Sequence, residues 1–185
     1  MTYLIEDDYE NYYSLTLDVL ALAIIMPSYS QRFRAKPRLD SWVAPNVSFY
    51  ASDNYTGKDT ALPDITTWAL GNIILSPKAY LAFRDIMAPS GEFLPLLIDG
   101  ETYYMFNTLF VIPASATDLT GAEDIVNSGI HIVQGNVKFD ESQISSHCIF
   151  KSSTNKLRSS FATKDFKSKY DENHFTGLVF KELGS

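Results

Sequence analysis

Three histidines and one cysteine bound the catalytic chemistry open to this chain of 185 residues. His147 adjoins Cys148, and a thiolate–imidazole dyad needs the two side chains within direct hydrogen-bond reach. Neighbours on a strand point to opposite faces, so this spacing argues against a dyad. His131 and His174 each stand alone in the sequence. No G-x-S-x-G nucleophile motif, no C-x-x-C, H-x-x-x-H or H-E-x-x-H metal spacing and no glycine-rich phosphate loop occurs. Glu6-Asp7-Asp8 lacks the twelve-position spacing of a calcium loop. The sequence therefore predicts no catalytic residue, no metal site and no cofactor. Cys148, followed by Ile149 and Phe150, reads as a buried thiol. A single cysteine cannot form an intramolecular disulfide, which suits a reducing compartment.

A different pattern lies near the start. Asp7, Asp8, Tyr9, Glu10, Tyr12 and Tyr13 interleave carboxylates with tyrosines. Tyrosine supplies large contact area at low entropy cost, so this composition suits a protein interface. The competing reading is a terminal strand that packs its aromatics on the core. Glu123 and Asp124 form a second acidic candidate, in a stretch that reads as a loop. The net charge of −7 is uneven: Met1 to Ser30 holds five acids and no Lys or Arg. Acidic surfaces steer basic partners and repel nucleic acid, although a pI near 4.9 also serves plain solubility. Arg32, Arg34, Lys36 and Arg38 alternate with Phe33, Ala35 and Pro37. Lacking several interleaved stacking aromatics, that cluster reads as a solvated loop or protected edge strand, not as a nucleic-acid patch.

The elements that must position these residues follow from pattern. Ile73 to Leu75 is a buried strand, after which Ser76 and Pro77 start a helix near 76–88. Ala79, Ala82, Phe83, Ile86 and Met87 share one face of it, and Pro89, Ser90 and Gly91 stop it. Phe93 to Ile98, Asp99-Gly100 and Thr102 to Ile112 form a hairpin with a tight primed turn. Further strands are expected at Thr2 to Ile5, Asn46 to Ala51, Ile130 to Phe139, Ser146 to Lys151 and Thr176 to Phe180. Leu15 to Ile25 is ambiguous between strand and helix. Ser52 to Asp64 and Pro113 to Gly129 read as loops, and Thr163 caps a shorter helix near 163–172. The sum is an α+β fold of mostly antiparallel strands, in one domain spanning 1–185 with residues 1–45 as a less regular amino-terminal lobe.

Met1 to Glu10 carries acids and no Lys or Arg, the opposite of a secretory leader. The apolar run from Val19 to Met26, bounded by Asp18 and Pro27, falls far short of the ~20 residues a membrane helix needs. A cytoplasmic protein with no membrane and no nucleic-acid partner is expected.

One stretch also carries a likeness. Pro63, Asp64, Ile65, Trp68, Gly71, Ser76, Ala79 and Gly91-Glu92-Phe93-Leu94-Pro95 occur in an order that resembles the immunity-protein-eleven family of bacterial polymorphic toxin systems. Tyr103-Tyr104-Met105-Phe106-Asn107 looks like that family's paired-aromatic strand, and Phe175-Thr176-Gly177-Leu178-Val179-Phe180 like its closing element. The likeness runs from about Val47 to Phe180, and the first 40 or so residues match poorly. It implies a protein that binds and neutralises a cognate toxin or effector domain without catalysis, and it supplies no catalytic residues. A homodimer is left open. The alternatives are an enzyme with an unfamiliar site that reverses a toxin's modification, and a chaperone or adaptor for an exported effector.

Overall fold

The computed structural model describes residues 1–26, 32–57, 62–69, 71–120, 122–127, 130–135 and 137–184, with backbone alone for Val19, 123–127 and 130–135. The chain runs β1 (Thr2–Asp7), β2 (Ser14–Thr16), α1 (Val19–Ile25), β3 (Ser48–Tyr50), β4 (Ile65–Trp68), β5 (Asn72–Leu75), α2 (Pro77–Met87), β6 (Gly91–Ile98) and β7 (Glu101–Thr108). It continues through β8 (Val111–Ile112), β9 (Thr117–Asp118), β10 (Ala122–Asn127), β11 (Ile130–Gly135), β12 (Lys138–Phe139), β13 (Ile149–Ser152), β14 (Ser160–Thr163), α3 (Lys164–Glu172) and β15 (Leu178–Leu183).

Two sheets carry the fold. One has the order β15-β1-β14-β13-β8 and is antiparallel except at β13–β8. The other, β4-β5-β7-β6, is wholly antiparallel. Short ribbons β2–β3, β9–β12 and β10–β11 flank them. The fold is thus α+β, with α2 the longest helix.

Alternation along the strands sorts side chains between cores. On β5, Ile73 and Leu75 join a central core with Ala79, Phe83 and Met87 of α2, Phe166 and Tyr170 of α3, and Ile149 and Ala162 of the five-stranded sheet. Ile74 between them points the other way, to Leu94, Leu96, Ile98 and Met105, where Leu15, Leu17, Leu22, Met26, Phe33 and Val47 cover the sheet. The far side of the five-stranded sheet is closed by Phe139, Ile144, Phe150 and Phe161.

Local signals explain the best-read elements. The Ser76 hydroxyl accepts the Ala79 N–H at 3.2 Å and Pro77 occupies the first helical position. Asp99 and Gly100 both have positive φ, 50° and 86°, as a primed hairpin turn requires. Leu15 to Ile25 resolves into a strand and then a helix, because the Asp18 carboxylate between them accepts the N–H groups of Leu20 and Ala21.

Several expectations need correction. The hairpin's second arm does not reach Ile112 unbroken: Leu109 and Phe110 both donate to the Ser90 carbonyl, and Val111–Ile112 crosses to the other sheet. Pro113 to Gly129 is not simply loop, since β9 and β10 form within it by pairing with β12 and β11. Ile130 to Phe139 is two strands, not one. The strands β4 and β14 were not expected; each is four residues long and rich in Thr or Ser. Thr163 stands at the start of α3 without capping it, because its hydroxyl donates to the Cys148 carbonyl instead. Pro27, Lys58, Asp59, Gly121 and Gly129 lie outside the described residues. Among the described residues no helix is long and apolar enough to cross a membrane.

The two sheets are tied at several points, among them hydrogen bonds from Thr67 to Asp7 and from Ser160 to the Gly71 carbonyl, and the meeting of β4 with the segment before β15. Ile65 N–H donates to the Thr176 carbonyl at 3.0 Å, and Asp8 N–H to the Gly177 carbonyl at 3.0 Å. Gly177 has φ +99°, and a Cβ there would lie 2.3 Å from Pro63 Cβ and 2.4 Å from the Ile65 carbonyl oxygen. Gly100 also has positive φ, yet a Cβ there meets nothing within 4 Å. Gly100→Ala should therefore cost only the conformational penalty, about 1–2 kcal/mol. Gly177→Ala adds overpacking and should cost roughly 2–4 kcal/mol in urea unfolding. Equal losses for the two variants would show that the close approach at Gly177 does not matter.

Candidate functional site

The acidic, tyrosine-rich segment is a turn that leaves the end of β1. Asp8 anchors it. Its carbonyl accepts the N–H groups of Asn11 and Tyr12, and both its carboxylate oxygens accept from Asn11 Nδ2, at 2.8 and 3.0 Å. The loop after β3 clamps the outer side. Ser52 Oγ donates to the Tyr9 carbonyl, and Thr56 donates through both N–H and hydroxyl to the Glu10 carbonyl. Tyr13 packs edge-on against Tyr55, ring centres 5.0 Å apart. Tyr9, 41% exposed, and Glu10 are left facing out, while Tyr12 and Tyr13 are half-buried. The reading of a terminal strand with its aromatics in the core does not describe this segment: the strand ends at Asp7.

The candidates therefore divide. Tyr9 and Glu10 present side chains on a braced turn, which lowers the ordering cost of binding. Asp7 accepts a hydrogen bond from the Thr67 hydroxyl at 3.3 Å and faces a groove of about 460 Å³ lined by Leu15, Leu17, Tyr50, Thr67 and Trp68. Asp8 is spent on holding the turn. Glu123 and Asp124 lie on strand β10, opposite Gln134 and Val133, and not on a loop; their side chains are outside the described residues.

Asp64, at the end of the Ser52–Asp64 segment, lies just before β4. Its carboxylate accepts the Thr176 N–H at 3.2 Å and the Thr176 hydroxyl at 3.1 Å, and Lys78 Nζ approaches to 3.9 Å. The Tyr170 hydroxyl accepts the Leu178 N–H at 3.1 Å. Burial above all pushes that hydroxyl up to about 12; the Leu178 N–H offsets part of the rise, and Tyr12, Asp64 and Asp8 add to it.

A second cavity, of about 520 Å³, opens between the start of β1, the end of α2 and the start of α3, with Glu141, His147, Cys148 and Lys164 among its walls. Glu141 pairs with the Met1 amino group, and His147 and Cys148 are each engaged elsewhere. The His147 ring stacks on Phe110 at 3.5 Å, with Nδ1 3.3 Å from Ser90 Oγ. Burial lowers the His147 pKa, partly offset by a hydrogen bond with the Pro89 backbone. Ser90 is buried, so the hydroxyl of this pair faces protein, while the His147 ring forms part of the cavity wall. The Cys148 thiol donates to the Ile86 carbonyl, and burial pushes it up to about 12, far from a reactive thiolate. Among the described residues no group of three or more His, Cys, Asp or Glu is placed to hold a metal ion.

One ionisable group passed unnoticed in the sequence: Lys151, buried in β13 opposite Ser160. Burial pulls its ammonium down to about 8 from an ordinary 10.5. Between those values the folded chain binds fewer protons at Lys151 than the unfolded chain, so this residue adds stability as pH rises from 8 to 10. Lys151→Met removes the titration and leaves every tyrosine in place. Calorimetry should show the parent gaining Tm over the variant across that window. A difference that stays flat from pH 8 to 10 contradicts the assignment.

No known family's model and no curated protein matches this chain. The likeness to the immunity family thus stands on the quoted residues alone.

Proposed function

We propose that this chain is a cytoplasmic immunity protein that binds a cognate bacterial toxin or effector domain and blocks it without catalysis. The observation that carries the reading is the braced turn, where Tyr9 and Glu10 are presented on backbone fixed by Asn11, Ser52 and Thr56. An exposed tyrosine beside carboxylates on rigid backbone suits a protein interface hot spot. The acidic balance of the amino-terminal region favours a basic partner, whose approach it would accelerate. The likeness described above supplies the class of partner.

Co-expression with toxin domains of bacterial polymorphic systems, beginning with any encoded beside this chain, tests the proposal: cells should survive a cognate toxin only when this chain is present. Equal killing with and without it sinks the reading. On purified components, Tyr9→Ala should cost roughly 2 kcal/mol of affinity. Glu10→Lys should slow association and reduce its dependence on salt. Affinity and association rate unchanged by both would clear the turn of a role in binding.

A further inference from the structure

The run from Arg32 to Arg38, expected as a solvated loop or edge strand, contains a tight turn. Lys36 N–H donates to the Phe33 carbonyl at 3.1 Å, and the two residues between, Arg34 and Ala35, have φ of 53° and 51°. Positive φ at both central positions of a turn ordinarily calls for Gly, Asn or Asp. Residues with larger or branched demands on the backbone hold that conformation only when the surroundings enforce it. Here they do. Phe33 is 2% exposed, its ring against Trp42 and beneath the Arg38 guanidinium. Asn107, fully buried, donates to the Lys36 carbonyl and to Glu92, whose carboxylate also accepts the N–H groups of Arg38 and Leu39.

That bracing presents two cations to solvent. Arg34 and Lys36 are exposed, and among the described residues neither is in an ion pair, whereas Lys78, Arg84, Lys167 and Lys181 each stand beside a carboxylate. The acids nearby are otherwise placed: Glu92 is occupied by backbone N–H groups and Asn107, Asp18 caps α1, and Asp40 lies in the following turn, Leu39–Ser41. A loop that served solubility alone would need no strained and braced backbone, and strain of this kind collects at ligand clamps. Cations select an anion, and the burial of Phe33 excludes one class: no base can stack on it, and a net charge of −7 repels nucleic acid. Protein carboxylates fit, since the Arg34 fork can hold one through two parallel N–H groups, with Lys36 as a second point charge. We infer that Phe33–Lys36 is a binding loop at which Arg34 and Lys36 take carboxylates of a protein partner. As a statement about the toxin this rests on the proposal that the chain binds one; it adds an acidic patch to the chemistry that toxin must present.

The experiment compares the parent with Arg34→Glu/Lys36→Glu and with Ala35→Gly. For a toxin domain that the parent neutralises, the double variant should keep the parent's circular dichroism while its Kd rises roughly tenfold, and added salt should narrow the gap. Ala35→Gly keeps both charges and relieves strain, so its Tm should rise; a lowered Tm would remove the premise of an enforced turn. Fluorescence anisotropy at low salt, with labelled poly-L-glutamate and labelled poly-dT, separates carboxylate from phosphate. The parent should bind poly-L-glutamate and the double variant should not. Tighter binding of poly-dT by the parent would assign the turn to nucleic acid and overturn the inference. An unchanged toxin Kd in the folded double variant also overturns it and leaves the immunity reading standing. If the parent neutralises no toxin, the immunity reading falls, and the turn is then judged on poly-L-glutamate: no binding, or equal binding by the double variant, sinks it.

Discussion

Asp64 and Thr176 hold each other from both sides: Thr176 donates through N–H and hydroxyl to the Asp64 carboxylate, and the Asp64 N–H returns a hydrogen bond to that hydroxyl. The two residues are 112 positions apart in the chain. One lies just before β4, at the edge of the four-stranded sheet; the other lies just before β15, at the edge of the five-stranded sheet. Asp64 also accepts the Ser76 N–H on its carbonyl, which ties in the start of α2. The central core is built from α2, α3 and both sheets, and this joint is one of the ties between its walls, beside the Thr67–Asp7 and Ser160–Gly71 hydrogen bonds. Gly177 completes it, since only a residue without Cβ fits against Pro63 and the Ile65 carbonyl at φ +99°.

The same economy recurs at the other sheet edge. Glu92 on β6 accepts the backbone N–H of Arg38 at 2.6 Å and a hydrogen bond from Asn107 Nδ2 at 2.7 Å, and Asn107 also donates to the Lys36 carbonyl. Trp42 Nε1 donates to the Pro95 carbonyl at 2.8 Å. The Gly-Glu-Phe-Leu-Pro segment thereby docks the loop that carries the basic cluster, with Phe33 buried beneath it. Most residues that make the sequence distinctive are thus occupied in joining elements. Tyr9, Glu10, Leu20 and Ile24, among the side chains left facing solvent in the amino-terminal region, lie outside the distinctive stretch.

What the sequence revealed and what it hid follow from the range of the forces involved. The Ser76 cap, the Asp99-Gly100 turn and the apolar stripe of α2 are local, so their residues suffice to place them. β4 and β14 were invisible because four residues with Thr or Ser become strands only once distant partners supply the ladder. The break at Leu109–Phe110 depends on a carbonyl of Ser90 and could not be read from a uniformly strand-favouring run. At the site, the charge and tyrosines of the turn were legible. That Asp8 is consumed in bracing it was not, because the role depends on Asn11 folding back and on Gly177 arriving from the far end. The outward face of α1 was hidden for a related reason: an apolar run announces burial but not which of its sides is buried.

The most direct test of this account is a double-mutant cycle on the joint, with Asp64→Ala, Thr176→Val and the pair compared by urea unfolding. If the joint ties the two sheets together, the coupling energy should be about 1–2 kcal/mol. Additivity to within about 0.3 kcal/mol would mean that the two residues act independently, and would contradict it.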